Sequence, residues 1–313
     1  MQSSSAPRGK LVVAHPERRA QRVLQRLVGA ARWPIEIVSD LDALAAAVDA
    51  DAIAVVDAAL ARTRPEIRAR PARAWIAVPG EGTSAAEPAA IDALLQAGWT
   101  HVVAQPMPLL AEELLATVQK LVRGDVFGLE KYLAWGADVR SFALEDTGDR
   151  EAAVAALAAD VVAAGLPDRA GSLASVIADE LLTNALYAAP VDAAGEQFRA
   201  REPRDQRRAL AGRDAVTVRW GTDARYLAIE VRDRWGTLDD DAIPSGLASG
   251  ARKTPEGGGM GLPLVYACCT QLVIGTAPSA LTEVIALLDI RYRPTELARA
   301  ASFHAFRGTP GDR

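Results

Sequence analysis

Cysteine, aromatic residues and long apolar runs are scarce in this sequence, and each scarcity excludes a class of protein. Its two cysteines, Cys268 and Cys269, are adjacent, which excludes a disulfide framework and a CxxC-type metal site, so we expect two packing thiols. No window of ~18 residues is free of charge and proline, so no membrane span is predicted. The opening MQSSSAPRGK lacks the apolar core of a signal peptide, and we therefore expect a cytoplasmic protein.

The charge and length limit the partners and the number of domains. Lys and Arg number 35 against 40 Asp and Glu, a net charge of −5, which gives no electrostatic reason to expect nucleic acid or an anionic membrane as a partner. Apolar residues make up 50% of the chain, as in an ordinary globular protein. At ~150 residues per domain, 313 residues predict about two domains.

Between residues 10 and 123, short β-branched runs alternate with helical stretches. Five such runs occur: LVVAH (11–15), IEIVS (35–39), AIAVVD (52–57), AWIAV (74–78) and HVVAQP (101–106). Alternation of this kind predicts an α/β domain with a doubly wound parallel sheet, preceded by a flexible tail over residues 1–9.

The order and spacing of these elements resemble a response-regulator receiver domain, which has a flavodoxin-like fold. The resemblance implies that Asp57, at the end of the third strand, is the candidate phosphoacceptor. However, the family's acidic Mg²⁺-binding pair is replaced by Ala14 and His15, its Ser/Thr by about Pro79, and its Lys by Gln105. Phosphoryl transfer to a carboxylate needs a divalent ion and a cation. We therefore expect a pseudo-receiver that docks other signalling proteins, with Asp57 alternatively a plain polar residue at a strand end.

Residues 124–150 join the two halves and are rich in large apolar side chains for so aromatic-poor a chain. They include Phe127, Leu129, Tyr132, Leu133 and Trp135. This composition predicts a packed connector, and a candidate homodimer or interdomain contact, in preference to a free linker.

From about residue 149 the order of elements changes to two helices, two strands, a loop, a helix and two strands. This order predicts an α/β sandwich over 151–293. The Arg-rich stretch 199–213 and a C-terminal tail over 294–313 are expected to be solvated.

Two polar residues interrupt the apolar stripe of the second helix. Leu173, Ile177, Glu180 and Asn184 follow one another at intervals of four, three and four, which places them on one helix face. A buried carboxylate and amide need a ligand, a metal or a polar network to satisfy them. The alternative is a pair capped or turned to solvent at the edge of the helix.

Two further features follow in the chain. An alternating strand ends at Asp233 and the chain turns at Gly236, in DRWGT. A glycine cluster, GGGMGL (257–262), then precedes an apolar helix. Glycines permit close approach of backbone N–H groups to phosphate oxygens at a helix N-terminus. The cluster lacks the Lys-Ser/Thr of a P-loop and does not follow a strand directly, so neither a Walker nor a Rossmann site is indicated.

Taken in this order, the motifs resemble the GHKL (Bergerat-fold) ATP-binding domain shared by gyrase B, a heat-shock chaperone, histidine kinases and MutL. The resemblance covers about residues 150–292, from ADELLTNALYAA through DRWGT and GGGMGL to the closing TEV. It implies that Asn184 holds Mg²⁺ and that Glu180 is the catalytic acid/base residue. It further implies that Asp233 accepts a hydrogen bond from the adenine amino group, supported through water by Thr282.

The resemblance also implies a lid and a phosphate contact. Gly257, Gly259 and Gly261 would form the lid hinge and approach the phosphates, Gly236 belongs to the first glycine box, and Lys253 would reach the phosphates as a mobile charge. The chain departs from the family's D-x-G-x-G at the first box, where Trp235 and Thr237 stand in the two glycine positions. A Trp at this position either stacks on the base or blocks the pocket.

The histidines bear on which activity is expected. A sensor histidine kinase needs a phosphoacceptor His just before its ATPase domain, but His15, His101 and His304 all lie outside 124–172. The motif around Glu180 is similar to that of bacterial anti-sigma Ser/Thr kinases, which implies phosphorylation of a serine on a partner protein, with ATP and Mg²⁺ as cofactors. Two alternatives stay open: a non-catalytic nucleotide-dependent switch, and a scaffold whose pocket is closed by Trp235.

Overall fold

The chain forms two compact units, each built from a sheet and helices. The computed structural model describes residues 9–80, 88–106, 109–204, 206–239, 242–248, 261–291 and 300–309. The first unit ends at Asp125 and also takes in residues 300–304, whereas the second begins at Val126 and includes residues 305–309. The predicted α/β class is confirmed in both units.

The first unit has five parallel strands in the order β2-β1-β3-β4-β5. The strands are β1 (Leu11–Ala14), β2 (Ile35–Val38), β3 (Ile53–Asp57), β4 (Ala74–Val78) and β5 (His101–Val102). The helices are α1 (Arg18–Val28), α2 (Leu41–Ala47), α3 (Ala58–Thr63), α4 (Pro88–Gln96) and α5 (Leu109–Arg123). Helix α1 packs with α5, and α3 packs with α4. Strands β1, β3 and β4 are continuous apolar runs because the parallel sheet is covered on both faces.

The prediction of a solvated C-terminal tail over 294–313 is wrong for residues 301–306, which are buried, while residues 294–299 and 310–313 lie outside the described residues. Residues Ser302–Arg307 form strand β11, in which every residue but the last is buried. Its Phe303 and His304 pair antiparallel with Val102 and His101 of β5, so the C-terminal strand covers the edge of the first unit's sheet. The sequence did not predict this strand, because six residues are too few to show a clear periodicity and the strand that it pairs with lies far away in the chain.

The second unit is antiparallel throughout, in the strand order β9-β10-β8-β7-β6. Its elements in chain order are β6 (Val139–Ala143), α6 (Asp149–Ala163), α7 (Asp168–Thr183), a π-helical turn (Asn184–Ala188), β7 (Val216–Thr222), β8 (Tyr226–Asp233), α9 (Gly261–Cys268), β9 (Gln271–Ala277) and β10 (Leu281–Asp289). A short helix α8 (Ile243–Ala248) spans the division between the units in the sequence. Helix α7 packs against α6, α9 and β8.

Residues 124–150 do not form a separate connector. They contain β6, which pairs with β7 in the sheet of the second unit. The predicted packing is confirmed for Phe127 and Leu129, which are buried, but it is wrong for Trp135, which is fully exposed. The cluster of large side chains is therefore divided between a buried part and a surface part.

The prediction that the Arg-rich stretch 199–213 is solvated is confirmed for most of its described residues but wrong for Arg199 and Leu210, which are buried. Arg199 donates to Asp214 at 2.7 Å, and the exposed Arg204 lies over the Tyr187 ring at 3.7 Å. Guanidinium groups stack on aromatic faces and pair with carboxylates, so single arginines of a solvated run still make specific contacts.

The helices of both units are short. Helix α7, with 16 residues, is the longest that the structure describes. None of the helices in the described part of the chain has both the length and the apolar character that crossing a membrane requires. Cys268 and Cys269 are free thiols, and burial raises the pKa of Cys269.

Candidate functional site

Three predicted site residues meet where α7 packs on α9. Gly261 opens α9, and a Cβ built on it would lie 2.9 Å from Glu180 Oε2 and 3.0 Å from Asn184 Nδ2. Any side chain at residue 261 would therefore displace both polar groups. The first N–H groups of a helix have no partner within that helix and carry a partial positive charge. The carboxylate and the amide thus face the first described turn of α9.

Glu180 and Asn184 have no partners of their own within the described part of the chain. Neither side chain makes a hydrogen bond or an ion pair there, and both are half-buried on a face whose Ile177 and Leu181 are fully buried. At Asn184 the helix changes to its π-helical turn, a local distortion common at functional sites. The structure thus places the pair at the edge of the buried face, not in a satisfied internal network.

Arg150 of α6 fixes the turn of α7 that carries this pair. Its Nη1 donates to Thr183 Oγ1 at 2.9 Å and lies 3.0 Å from Asp179 Oδ1. Thr183 and Asp179 immediately precede Asn184 and Glu180 in the sequence, so the guanidinium holds the backbone next to both. No sequence pattern indicated this contact, because it depends on how α6 and α7 pack against each other.

Asp233 and Thr282 form a second group of polar atoms. They stand directly opposite each other in the β8–β10 ladder. Asp233 Oδ1 accepts the Trp235 N–H at 2.8 Å. Burial raises the pKa of Asp233 to about 6, although the backbone N–H groups of Trp235 and Gly236 and the nearby Thr282 hydroxyl favour the charged form. Thr282 Oγ1 is itself buried and has no hydrogen-bond partner among the described residues.

Gly236 is required by the backbone that follows Asp233. Its φ is +59°, and a Cβ there would meet Ala277 O and lie 2.7 Å from Ala280 N. Thr237, in a position that is glycine in the resembled family, donates from Oγ1 to Ala189 O at 2.8 Å. The loop after β8 is thereby tied both to the β9–β10 turn and to the end of the π-helical turn.

Trp235 is held by side chains from the segment between α7 and β7. The Arg213 guanidinium lies over its ring at 4.2 Å, and the Phe198 ring meets it edge-on at 6.1 Å between centroids. Arg213 belongs to the stretch that the sequence predicts to be solvated, and Phe198 directly precedes that stretch. The indole is buried in this cluster, with one face covered by the arginine.

Asp57, the candidate phosphoacceptor, is held by partners in the first unit. Its Oδ1 accepts the Leu60 N–H at 2.9 Å and so caps α3. His15 Nε2 lies 3.5 Å from Oδ2, and His15 Nδ1 accepts the Glu17 N–H at 3.0 Å. Because Nδ1 accepts, the neutral ring carries its proton on Nε2, facing the carboxylate. The position at the end of β3 is as predicted, but an imidazole stands beside it where the family has acidic metal ligands.

The remaining histidines lie in another buried cluster of the first unit, which sequence reasoning missed. Glu113 of α5 accepts Ser302 Oγ on Oε2 at 3.0 Å, and its Oε1 lies 2.7 Å from His304 Nε2. Burial raises the pKa of Glu113 to about 8 and lowers that of His304 to about 3. Burial also holds the pKa of His101 well below its ordinary value.

Three of the predicted site residues cannot be placed in the candidate site. Lys253, Gly257 and Gly259 lie outside the described residues. Within the described ranges, no group of three His, Cys, Asp or Glu side chains is placed to hold a metal ion.

Comparison with known proteins adds no family to this picture. No family model matches the chain, and no curated protein matches it. The function is therefore inferred from the geometry of the site and from the motifs in the sequence.

Proposed function

We propose that the second unit is a GHKL-type domain that binds ATP with Mg²⁺ and phosphorylates a hydroxyl of a partner protein, in the manner of the anti-sigma Ser/Thr kinases that the sequence resembles. One observation carries the proposal. Glu180 and Asn184, without side-chain partners among the described residues, place polar atoms 2.9–3.1 Å from the Cβ position of Gly261, the first described residue of α9.

The polar atoms around Asp233 fit a purine base. A buried carboxylate can accept the hydrogen bond of an adenine amino group, and the buried Thr282 hydroxyl opposite it interacts with Asp233 but makes no hydrogen bond of ordinary geometry to a described residue. A base carrying both a donor and an acceptor, directly or through one water, would satisfy both side chains. The rigid turn at Gly236 keeps Asp233 in place for that contact.

The residues at the start of α9 fit phosphate and Mg²⁺. An amide oxygen such as that of Asn184 is a hard ligand, and Mg²⁺ is usually bound by one or two protein ligands together with waters and substrate phosphates. The helix N-terminus at Gly261 supplies N–H groups for phosphate oxygens. Mg²⁺, when bound, would neutralise charge on the phosphates.

Glu180 is the residue placed to act on an incoming hydroxyl. Its Oε2 lies on the Gly261 side of α7, next to the Asn184 amide. From there it can accept the proton of a serine hydroxyl as that oxygen attacks the terminal phosphorus and ADP leaves. Phosphoryl transfer depends mainly on alignment and charge stabilisation, so few protein groups are needed.

We assign the acceptor hydroxyl to a partner protein; the chain's own histidines, the acceptors that a histidine kinase would need, are not accessible. His15, His101 and His304 are 2%, 3% and 0% exposed, and all three lie in the first unit. The strand order 2-1-3-4-5 of that unit supports its assignment as receiver-type. With Asp57 engaged by His15 and Leu60, we assign the first unit to docking of signalling proteins rather than to phosphate acceptance.

The test is calorimetric titration with a non-hydrolysable ATP analogue and Mg²⁺. We expect wild-type binding, and affinities at least roughly tenfold weaker in Asn184→Ala and Asp233→Asn, which lose a metal ligand and the base acceptor. Asp57→Asn, an equally buried aspartate of the first unit, is the matched control and should bind as wild type. Absence of wild-type binding would rule out both the kinase and the nucleotide switch.

Turnover then separates the kinase from the switch. With γ-labelled ATP and serine-containing partner proteins, wild type should transfer label, whereas Glu180→Gln should bind the analogue normally but lose transfer by roughly 10²-fold or more. Binding without any transfer or hydrolysis would contradict the kinase and leave a nucleotide-dependent switch.

A further inference from the structure

The face of β8 and β10 opposite the candidate site carries a buried cluster of charges. Asp233 and Thr282 form one rung of the ladder, and Arg232 and Glu283 form the next. Successive strand residues point to opposite faces, so the second rung faces away from the site. Glu230, two residues before Arg232, shares this reverse face. Glu230 and Glu283 are 0% and 1% exposed, although the alternation alone predicts a solvated polar face.

Two arginines accompany the two carboxylates. Arg232 Nε lies 2.9 Å from Glu283 Oε2, and Arg219 Nη1 lies 3.1 Å from Glu230 Oε2. Burial and the neighbouring charge of Glu283 raise the pKa of Glu230 to about 7, while the arginines oppose that rise. We call Arg219, Glu230, Arg232 and Glu283 the reverse-face cluster. A buried cluster of this kind is stable only while every charged group keeps its partners.

Backbone N–H groups of the segment after Val126 complete the cluster. The Gly128 N–H donates to both carboxylate oxygens of Glu283, at 3.0 and 3.1 Å. The Leu129 N–H donates to Glu230 Oε1 at 3.0 Å. We call residues 127–132 the latch segment. Two consecutive amides thus each bind one buried carboxylate, on the two strands that also carry Asp233 and Thr282.

The surface that receives the latch segment is shaped by glycines. A Cβ on Gly275 of β9 would lie 2.9 Å from the Phe127 ring, and one on Gly308 would lie 2.5 Å from it. Gly128 has φ +115°, which other residues rarely adopt. Lys131 Nζ donates back to Phe127 O, and Glu130 pairs with Arg219. The segment therefore has a fitted hollow, two specific amide contacts and closing ion pairs.

We propose that the latch segment regulates the nucleotide site from behind, so that its docking on the reverse-face cluster holds the β8–β10 ladder in the arrangement that binds nucleotide. This inference rests on the proposed function. The coupling needs no long path, because the latched rung and the nucleotide rung are adjacent residues of the same two strands. The latch begins one residue after Val126, where the chain passes from the first unit to the second, so a partner acting on that junction would act on the site.

Two glycines of the same region give a matched test. Gly128 and Gly136 both have positive φ, +115° and +83°, but a Cβ on Gly136 would meet nothing within 4 Å. Gly128→Ala should therefore undock the latch, whereas Gly136→Ala strains the backbone without touching the cluster. The measurements are hydrogen exchange of the amides of residues 128 and 129, and the Kd of the non-hydrolysable ATP analogue with Mg²⁺.

For Gly128→Ala we expect exchange at these amides to rise at least roughly tenfold and the Kd to rise roughly fivefold or more, a typical coupling between two sites. Reciprocally, saturating nucleotide should slow this exchange in the wild type. Gly136→Ala should keep the wild-type Kd. Phe127→Leu, which leaves part of the hollow empty without straining the backbone, is the second variant should Gly128→Ala not fold.

Faster exchange with a Kd within twofold of wild type in both latch variants would overturn the coupling while leaving nucleotide binding intact. An equal loss of affinity in Gly128→Ala and Gly136→Ala would overturn it too, because strain alone would then explain the effect. A wild type that binds no nucleotide would show instead that the proposed function has failed, and the coupling with it.

Discussion

Each unit places a buried aspartate at the carboxyl end of a central strand, yet the two aspartates stand in opposite chemical situations. Asp57 and Asp233 are 4% and 5% exposed. Asp57 caps a helix with one oxygen and faces the His15 ring with the other. Asp233 is held by one turn of its own backbone, and its neighbour Thr282 has a buried hydroxyl with no partner among the described residues.

The difference shows that burial and position alone do not mark a ligand site. A polar group whose bonds are completed within the chain is part of the architecture, whereas one left incomplete has a binding capacity that an external group can use. In the first unit Asp57 is completed within the chain, although the buried Trp99 Nε1 has no partner among the described residues. In the second, the buried Thr282 Oγ1 has no such partner, and the half-buried Glu180 and Asn184 lie next to Gly261 without a side-chain partner in the described ranges.

The largest effect is expected from a substitution of Gly236, beside Asp233; Gly80, beside Asp57, provides the comparison. Gly236→Ala places a Cβ against Ala277 O and 2.7 Å from Ala280 N at φ +59°, and should lower the free energy of unfolding by about 3 kcal/mol. Gly80→Ala places a Cβ 3.5 Å from Asp57 Oδ2, an ordinary contact, and should change it by less than about 0.5 kcal/mol. Urea denaturation measures both.

Equal changes in the free energy of unfolding for Gly236→Ala and Gly80→Ala would contradict this expectation. Such a result would mean that the loop after β8 can shift away from the β9–β10 turn. The turn at Gly236 would then not be what holds Asp233 in place.

A smaller effect is expected from pH. Since burial raises the pKa of Asp233 to about 6, its carboxylate is lost as the pH falls through that value, and a protonated acid is a poorer acceptor for an amino group. Nucleotide affinity should be constant above about pH 7 and fall roughly tenfold per unit below pH 6. Calorimetry from pH 5 to 8 would show this.

Asp233→Asn is the control for the pH profile, because it removes the titrating group and keeps the shape. Its weaker binding should vary with pH only as the nucleotide's own phosphates do. A wild-type profile parallel to that of the variant would show that Asp233 does not contact the ligand.

The smallest effect concerns the buried carboxyl of the first unit. Glu113, whose pKa is raised from 4.5 to about 8, contributes stability that is lost as the pH rises towards 8. His304, whose pKa is lowered from 6.5 to about 3, contributes stability that is lost as the pH falls towards 3. For this pair, the two opposite changes of stability with pH cancel between about pH 4.5 and 6.5. Stability should therefore decrease by on the order of 1 kcal/mol from pH 6.5 to 8.

Thermal unfolding of Glu113→Gln against wild type checks this expectation. Glutamine keeps hydrogen bonds to Ser302 and His304 but does not titrate, so the fall of the melting temperature between pH 6.5 and 8 should be smaller in the variant than in the wild type. Parallel profiles of the two proteins would show that the carboxyl does not hold its proton in the folded state.

Much of the architecture is readable from the sequence because its signals are local. The β-branched runs around residues 11, 53 and 74 are continuous and apolar, so they could only be buried strands. The spacing of Glu180 and Asn184 placed both on one helix face. The opening of α9 by a glycine was likewise anticipated from GGGMGL.

The elements that sequence reasoning missed depend on contacts between distant residues. Strand β11 is held by pairing with β5 and by Ser302 and His304 on Glu113, about 190 residues away. Arg199 is buried because Asp214 and Phe198 lie beside it. Composition alone predicts that strand β11 and Arg199 are exposed to solvent.

The sequence by itself indicated most of the strands and helices and a division into two halves, and it named the candidate site residues, because propensity and periodicity act over a few residues. Only the tertiary structure decided which polar groups are satisfied. His15 on Asp57, the latch segment on Glu230 and Glu283, and the lack of partners at Thr282 among the described residues all depend on which chain segments meet. Hydrogen bonding acts over about 3 Å of space, whatever the separation along the chain.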